Sequence, residues 1–219
     1  LWIGGMAYPS ISNATFSGNS AESGGGGLYC GHATGWDMTN ITFSGNSSDY
    51  NGGALYSSEC TGLIIEHSTF SGNTAAQSGG AIYAPSGTYP NNLFLMNSIL
   101  WGNSPDQIVA PEGYISYSDV QGGAVGSGNI NLDPLLGTLA NNGGYSQTIA
   151  LLDGSPAIDA ANPSSLLNLD QRNYPRPIDG NLDGTARNDM GSYEYKSSSP
   201  GYTLTLGVNP SGSGSVSVN

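Results

Sequence analysis

A pentapeptide, TFSGN, occurs three times at one constant spacing, and this repeat constrains the fold more than any other feature of the chain. Its copies begin at Thr15, Thr42 and Thr69, so the period is twenty-seven residues. A second motif keeps the same period. It consists of two glycines, then Gly or Ala, then Leu or Ile, and finally a tyrosine, and its copies end at Tyr29, Tyr56 and Tyr83. A fixed period of this length indicates a solenoid, in which each unit buries its apolar face only against its neighbours.

The repeat unit contains short apolar segments separated by glycine, asparagine and serine. Each segment has four to seven residues and is rich in Ile, Leu, Tyr, Phe and Thr, which is typical of strands rather than of long helices. Three short strands and three turns fill one period, and one such unit is a rung of a parallel β-helix. A fourth copy, at 97–103, is shifted by three residues, and a fifth, at 115–123, is shorter. The predicted fold is therefore all-β, a parallel β-helix.

Equivalent residues of successive rungs are expected to stack in columns about 4.8 Å apart. One interior column consists of Phe16, Phe43, Phe70 and Leu100. A second consists of Leu28, Leu55 and Ile82, and a third wall of Ile41, Ile65 and Leu95. One asparagine column consists of Asn19, Asn46, Asn73 and Asn103, whose amides can bond to each other. Another consists of Asn13, Asn40, His67 and Asn97, in which the histidine is predicted to stack in place of asparagine.

The tyrosines of the second motif are the candidate ligand-binding residues. Tyr29, Tyr56 and Tyr83 each follow an inward-facing Leu or Ile, and adjacent side chains of a strand point to opposite faces. The three are therefore predicted to form a ladder on the outer surface, which could bind the face of a sugar or a protein partner. The alternative is a packed ladder covered by a loop.

The chain has two cysteines, Cys30 and Cys60. They lie one rung apart but are offset by three residues in the repeat, so that a disulfide is possible only if the loop folds back. A disulfide would agree with export. Two free thiols are the alternative.

Charge excludes several classes of function. With 16 acidic and 4 basic residues the net charge is −12, which argues against binding of nucleic acid or of anionic lipid through a basic surface. The absence of a long apolar run argues against direct insertion in a membrane. Residues 1–129 contain no lysine or arginine, and their carboxylates are scattered, so no catalytic residue is predicted in the chain. The alternative is a carbohydrate-active enzyme, a polysaccharide lyase or glycoside hydrolase, whose catalytic rungs precede residue 1.

The paired motifs resemble those of polymorphic outer membrane proteins. The resemblance rests on F-x-x-N at 16–19, 43–46 and 70–73 and on G-G-A-[IL] at 52–55 and 79–82, and it covers about residues 11–103. It implies a right-handed β-helix on a bacterial cell surface, with a role as adhesin or stalk towards a host or environmental glycan or surface protein. An extracellular location follows, with the export signal and the anchor expected outside this fragment.

Residues 130–196 leave the repeat. NNGG at 141–144, GSPAID at 154–159 and DMGSYE at 189–194 are similar to the choice-of-anchor Q domain of bacterial surface proteins. This segment is expected to complete the C-terminal rungs and to cap the open end of the β-helix. Within it, Arg172 and Arg176 are expected to pair with carboxylates. Residues 197–201 are predicted to be a linker, and 202–219 to be a hairpin that begins a following β repeat module.

An acidic loop in this segment predicts a structural Ca²⁺ ion. Residues 179–184 match D-x-[DN]-x-[DN]-G, in which alternate side chains surround one cation and the glycine permits a sharp turn. The predicted ligands are Asp179, Asn181, Asp183, Thr185 and, in place of the glutamate that such loops use, Asp189. The alternative is an acidic turn neutralised by Arg176 and Arg187.

Overall fold

A computed structural model describes residues 1–5, 8–86, 92–111 and 113–197, and these contain strands and turns but no helix. The predicted hairpin at 202–219 and most of the 197–201 linker lie outside the described residues. The strands are β1 (Trp2–Gly4), β2 (Ser10–Ser17), β3 (Ser20–Ala21), β4 (Leu28–Gly31), β5 (Asp37–Ser44), β6 (Ser47–Ser48), β7 (Leu55–Ser58), β8 (Leu63–Glu66), β9 (Thr69–Ser71), β10 (Thr74–Ala75), β11 (Ile82–Tyr83), β12 (Leu93–Met96), β13 (Ile99–Trp101), β14 (Ile108–Val109), β15 (Tyr114–Ser116), β16 (Asp119–Val120), β17 (Leu136–Ala140) and β18 (Thr148–Leu151). In the part of the chain so described, a helix of membrane-spanning length and hydrophobicity is not found.

Strands β1 to β16 form a solenoid of parallel sheets, which confirms the predicted parallel β-helix. One sheet has the order β1-β4-β7-β11-β14, and we call it the tyrosine sheet. A small sheet has the order β10-β6-β3, and a larger one combines β2, β5, β8, β9, β12, β13, β15 and β16. Partners in the first rungs are one period apart, as in Tyr29 and Tyr56. The shifted fourth copy is confirmed by the pairing of Phe70 with Leu100, and the shorter fifth by that of Leu100 with Val120.

The large sheet is bent at a column of left-handed residues. Asn13, Asn40, His67 and Asn97 have φ between 47° and 57°, and we call them the corner column. Asparagine adopts this conformation more readily than most residues, which explains its recurrence there. Each rung therefore turns at the corner column, and the strand segments on its two sides contribute to different walls of the core.

The core consists of the stacked columns. The rings of Phe16, Phe43 and Phe70 stack with centroids 4.9 and 4.6 Å apart, and Leu28, Leu55 and Ile82 are fully buried beside them. The third wall differs from prediction at one place. Met38, not Ile41, pairs with Ile65 in the wall that continues to Leu95, because Ile41 follows the turn at Asn40 and lies on the next wall.

The asparagine ladder is confirmed. Each side-chain amide of Asn19, Asn46 and Asn73 donates to the side-chain oxygen of the next member, with distances of 2.8–2.9 Å. The same oxygens accept the backbone N–H one rung earlier. At the last member, Asn103, the side chain of Gln107 ends the ladder by accepting the amide at 2.6 Å.

The segment after residue 131 does not add rungs, contrary to our expectation. Ile130 still bridges to Asp119 of the last rung, but β17 and β18 pair antiparallel with each other. Residues 141–194 then run along the side of the solenoid, and every member of the corner column bonds to them. The contacts are Asn13 with Asn173, Asn40 with Leu169, His67 with Ser165 and Asn97 with Asn162. The corner column and the threonines beside it are polar, and they give this segment partners across four rungs. We call residues 141–194 the strap.

Candidate functional site

The three predicted tyrosines lie in one row on the outer face of the tyrosine sheet. Tyr29, Tyr56 and Tyr83 are half-buried, whereas the preceding residue in each strand is fully buried in the core. The ring centroids of Tyr29 and Tyr56 are 5.1 Å apart with planes 6° from parallel, and those of Tyr56 and Tyr83 are 5.2 Å apart at 38°. Each ring therefore covers part of its neighbour, and the row presents ring edges and hydroxyl groups outward.

A groove with a volume of about 550 Å³ lies along the first part of this row. Trp2 and Tyr50 line it together with Tyr29 and Tyr56, and sequence reasoning missed both. Trp2 pairs in register with Tyr29 and lies one period before it, so the repeat spacing was a usable signal. Tyr50 has no aromatic counterpart in the other rungs, and nothing in the repeat points to it.

Glycines make room for the aromatic rings of the groove. A Cβ on Gly31 would lie 3.0 Å from the ring of Tyr29, and one on Gly24 would lie 2.8 Å from the ring of Tyr56. Burial, together with the neighbouring Tyr29, Tyr83 and Tyr50, raises the pKa of the Tyr56 hydroxyl above its ordinary value. The hydroxyl therefore stays protonated at neutral pH and can donate a hydrogen bond to a ligand.

The disulfide lies beneath the tyrosine sheet. Cys30 and Cys60 are bonded, with their Cα atoms 6.6 Å apart, and both are buried in the core. On the surface beside the disulfide, His32 Nδ1 lies 3.0 Å from a carboxylate oxygen of Glu59. Both residues border a small pocket with Thr34. The disulfide accordingly ties two rungs together from inside, while the His32–Glu59 pair lies at the surface.

The acidic loop holds only part of the predicted calcium ligand set. The side-chain oxygens of Asp179, Asn181 and Asp183 accept backbone N–H groups of residues 183–185 within the same exposed loop. Asp189 is fully buried, and its carboxylate accepts the backbone N–H groups of Asp159 and Tyr195. Asp159 holds the base of the loop instead, because its carboxylate accepts N–H groups of residues 180, 181 and 187.

Calcium binding remains a prediction, and oxygens from Asp179, Asn181, Asp183 and Thr185 are the ones that could supply it. If the loop binds Ca²⁺, the ion will raise the melting temperature of chelator-treated protein, because a ligand of the folded state stabilises it. Differential scanning calorimetry with and without Ca²⁺ measures this. Asp183→Ala should abolish the shift, whereas the exposed Asp49→Ala should retain it. An equal melting temperature with and without the ion would refute the prediction.

A cluster of buried charged groups joins the strap to the solenoid. Arg176 is fully buried, and its Nη1 donates to Nδ1 of His67 at 2.7 Å and to the carbonyl oxygen of Asp189 at 3.1 Å. Its Nη2 donates to the carbonyl oxygen of Gly191, and a Glu194 carboxylate oxygen lies 3.7 Å from Nη1. Because a guanidinium can only donate, Nδ1 of His67 accepts from Arg176, and Nε2 lies 2.9 Å from the hydroxyl oxygen of Ser165. Burial and Arg176 hold the pKa of His67 well below its ordinary value, so this histidine is neutral.

The carboxylates of this cluster are also held by backbone groups. Glu194 accepts the N–H groups of Ile178 and Asp189, and burial raises its pKa to about 7.

The second arginine of the strap, Arg172, contacts Asp170 at 2.6 Å, and its guanidinium lies 3.6 Å from the centroid of the Tyr193 ring. The expected arginine–carboxylate pairing is therefore confirmed, although Arg176 pairs with Glu194. The cluster is enclosed, and its contacts join the strap to the solenoid.

Another buried carboxylate, that of Asp119 in β16, is poorly paired. One oxygen accepts the N–H of Leu132 at 3.3 Å, and among the described residues the other has no hydrogen-bond partner. Burial, with a smaller effect of Asp133, raises the pKa of Asp119 to about 6.

Asp119→Asn should therefore stabilise the protein at alkaline but not at acidic pH. The pKa is higher in the folded than in the unfolded state, so Asp119 costs stability as pH rises through about 6. We expect the variant to gain about 1–2 kcal/mol near pH 8 and nothing near pH 4. Urea unfolding at both values measures the difference, with the exposed Asp49→Asn as control. A gain of equal size at both pH values would contradict this prediction.

Three segments match the Chlamydia polymorphic membrane protein repeat, at residues 13–31, 40–58 and 67–85. Each begins at the corner column and ends two residues after a ladder tyrosine. Comparison with curated proteins and with solved structures gave no match. Over these three segments the chain is similar to the polymorphic membrane protein repeat, and the segments lie on a β-solenoid. The match does not extend to residues 130–196, for which the choice-of-anchor Q resemblance remains a prediction.

Proposed function

We propose that this chain is an exported cell-surface β-solenoid that acts as a rigid stalk or adhesin and binds glycan or protein ligands through its tyrosine ladder. The observation that carries the proposal is the row of Tyr29, Tyr56 and Tyr83 on the outer face, the first two of which line a groove of about 550 Å³. Aromatic side chains on an exposed surface are frequent anchors of recognition.

The construction of the solenoid suits a stalk. The asparagine ladder, the stacked phenylalanines and the disulfide each join successive rungs, and the strap crosses four of them. Because these bonds run along the axis, bending the solenoid would require several of them to break together. An internal disulfide is also typical of proteins outside the reducing cytoplasm. Both features support a rigid extracellular element.

The proposal predicts that attachment of the protein to cells depends on the tyrosine ladder. Beads coated with the chain should adhere to cultured epithelial cells, and Tyr56→Ala should reduce adhesion about tenfold, since one buried aromatic anchor contributes about 1–2 kcal/mol. Tyr145→Ala is the matched control, because Tyr145 is almost fully exposed and lies outside the groove. Counting of retained beads under flow measures the effect.

Equal adhesion of the wild type and the Tyr56→Ala variant would overturn the role of the ladder. The second candidate function is that of a carbohydrate-active enzyme, and the surface His32–Glu59 pair favours it as an acid–base couple. Release of reducing ends from a neutral polysaccharide, lost in Glu59→Gln, would support the enzyme. Ladder-dependent adhesion without release of sugar would support the adhesin.

A further inference from the structure

The groove beside the ladder is lined by uncharged side chains. Tyr29 and Tyr56 form its floor, and Trp2 and Tyr50 stand beside them. The remaining lining comes from Leu1 and from small residues, including the hydroxyl-bearing Ser23, and none of these lining side chains carries a charge. In a chain with a net charge of −12 and four basic residues, a neutral aromatic groove is a chemically distinct surface.

The aromatic residues of the groove offer two kinds of contact. The stacked rings of Tyr29 and Tyr56 expose edges and hydroxyl groups, because each ring covers part of its neighbour. Trp2 is 68% exposed and Tyr50 is 48% exposed, so both leave aromatic surface open to a ligand. Ring faces pack against apolar C–H surfaces, whereas hydroxyl groups exchange hydrogen bonds. A ligand that satisfies both has an apolar face and many hydroxyl groups, as a pyranose has.

Backbone pairing disfavours a peptide strand in this groove. Strand β4 bonds to β1 and β7, and β7 bonds to β4 and β11, so a peptide could not add to either strand of the groove floor and would have to add at the end strand β1 of the described sheet. Acidic polysaccharides are disfavoured because the side chains that line the groove include no cation and the chain is strongly acidic.

We infer that the groove binds a neutral polysaccharide that lies along the tyrosine ladder. This inference rests on the proposed function and adds the class of ligand. The ring centroids repeat at 5.1 and 5.2 Å, with Tyr83 tilted by 38° from Tyr56, so the ladder presents tyrosine rings and hydroxyl groups at regular steps along its length. A linear polymer of one sugar matches such a periodic surface better than a branched or single sugar, and its affinity increases as more units make contact.

Isothermal titration calorimetry with cellohexaose, maltohexaose and mannohexaose tests the inference, with hexagalacturonate as the anionic comparison. At least one neutral hexamer should bind, about tenfold more tightly than its dimer, and hexagalacturonate should not. Tyr50→Ala should weaken binding about tenfold, because it removes exposed aromatic surface. Tyr145→Ala should leave it unchanged, and equal melting temperatures will show that both variants fold.

The two experiments separate the glycan site from the adhesin. The inference is overturned if no neutral hexamer binds at millimolar concentration. It is also overturned if Tyr50→Ala leaves the binding unchanged. If the coated beads still adhere in a Tyr56-dependent manner, the adhesin proposal stands and the ligand is a protein. If a neutral hexamer binds but adhesion does not depend on Tyr56, the glycan site stands and the adhesin proposal falls.

Discussion

At pH 8, where most of Glu194 is ionised, replacing Arg176 by methionine is expected to lower the free energy of unfolding by about 3–5 kcal/mol, the usual cost of removing one partner from a buried ion pair. The guanidinium is buried with Glu194 3.7 Å away, and it donates to His67 and to two carbonyl oxygens. Methionine fills similar space but leaves these acceptors without their donor and the carboxylate without its positive partner. Urea unfolding followed by circular dichroism measures the change.

Two further variants show whether this effect comes from the cluster. Arg187→Met removes an exposed arginine of the strap and should cost less than about 1 kcal/mol. His67→Asn restores the residue found elsewhere in the corner column but loses the bond to Arg176. The double variant with Arg176→Met should therefore cost less than the sum of the two single changes. Additive effects, or equal losses in Arg176→Met and Arg187→Met, would contradict the proposed role of the cluster.

The solenoid could be predicted because its information is local and repeated. Each rung carries the same glycines, phenylalanine and asparagine at the same positions, so three copies support one interpretation. Where the spacing was applied strictly, as for Asn19, Asn46 and Asn73, the predicted ladder is confirmed. The third wall was predicted without strict use of the spacing, and that prediction was wrong. Met38 lies one period before Ile65 and forms the wall that we had predicted for Ile41.

The position of the strap could not be predicted, because its contacts join residues far apart in the sequence that do not repeat. Arg176 and His67 are separated by 109 residues, and Arg176 lies outside the repeat. His67 differs from the asparagines of its column, and this difference was the available signal. It indicates a partner outside the solenoid, whereas we had predicted a stacking substitute.

In the candidate site, too, the repeat predicts some of the residues and not others. The three ladder tyrosines follow from the repeat, and Trp2 could have been added by extending it by one period. Tyr50 lies in a turn that differs between rungs, so only the folded chain brings it beside Tyr56. In the acidic loop, the motif placed its own carboxylates together, but the carboxylate at the base of the loop belongs to Asp159, which precedes the motif and follows no calcium-loop spacing.

The second large effect concerns the asparagine ladder. Asn73→Ala is expected to lower the free energy of unfolding by about 3–5 kcal/mol, since each buried group left without a partner costs about 1–3 kcal/mol. The Asn73 amide donates to the carbonyl oxygen of Phe43 at 3.1 Å and to Asn103 at 2.8 Å. Its oxygen accepts the backbone N–H and the side-chain amide of Asn46. All four bonds are buried between rungs, where water cannot replace them.

Asn19→Ala provides the matched control, because the same residue type stands at the exposed end of the same ladder. Asn19 donates to Asn46, but the backbone N–H of residue 19 also bonds to that oxygen and survives the change. The expected cost is below about 1 kcal/mol. Unfolding in guanidinium chloride compares the two variants. If they lose the same stability, the buried asparagine bonds contribute no more than those at the surface, and the ladder adds little to the other contacts that join the rungs.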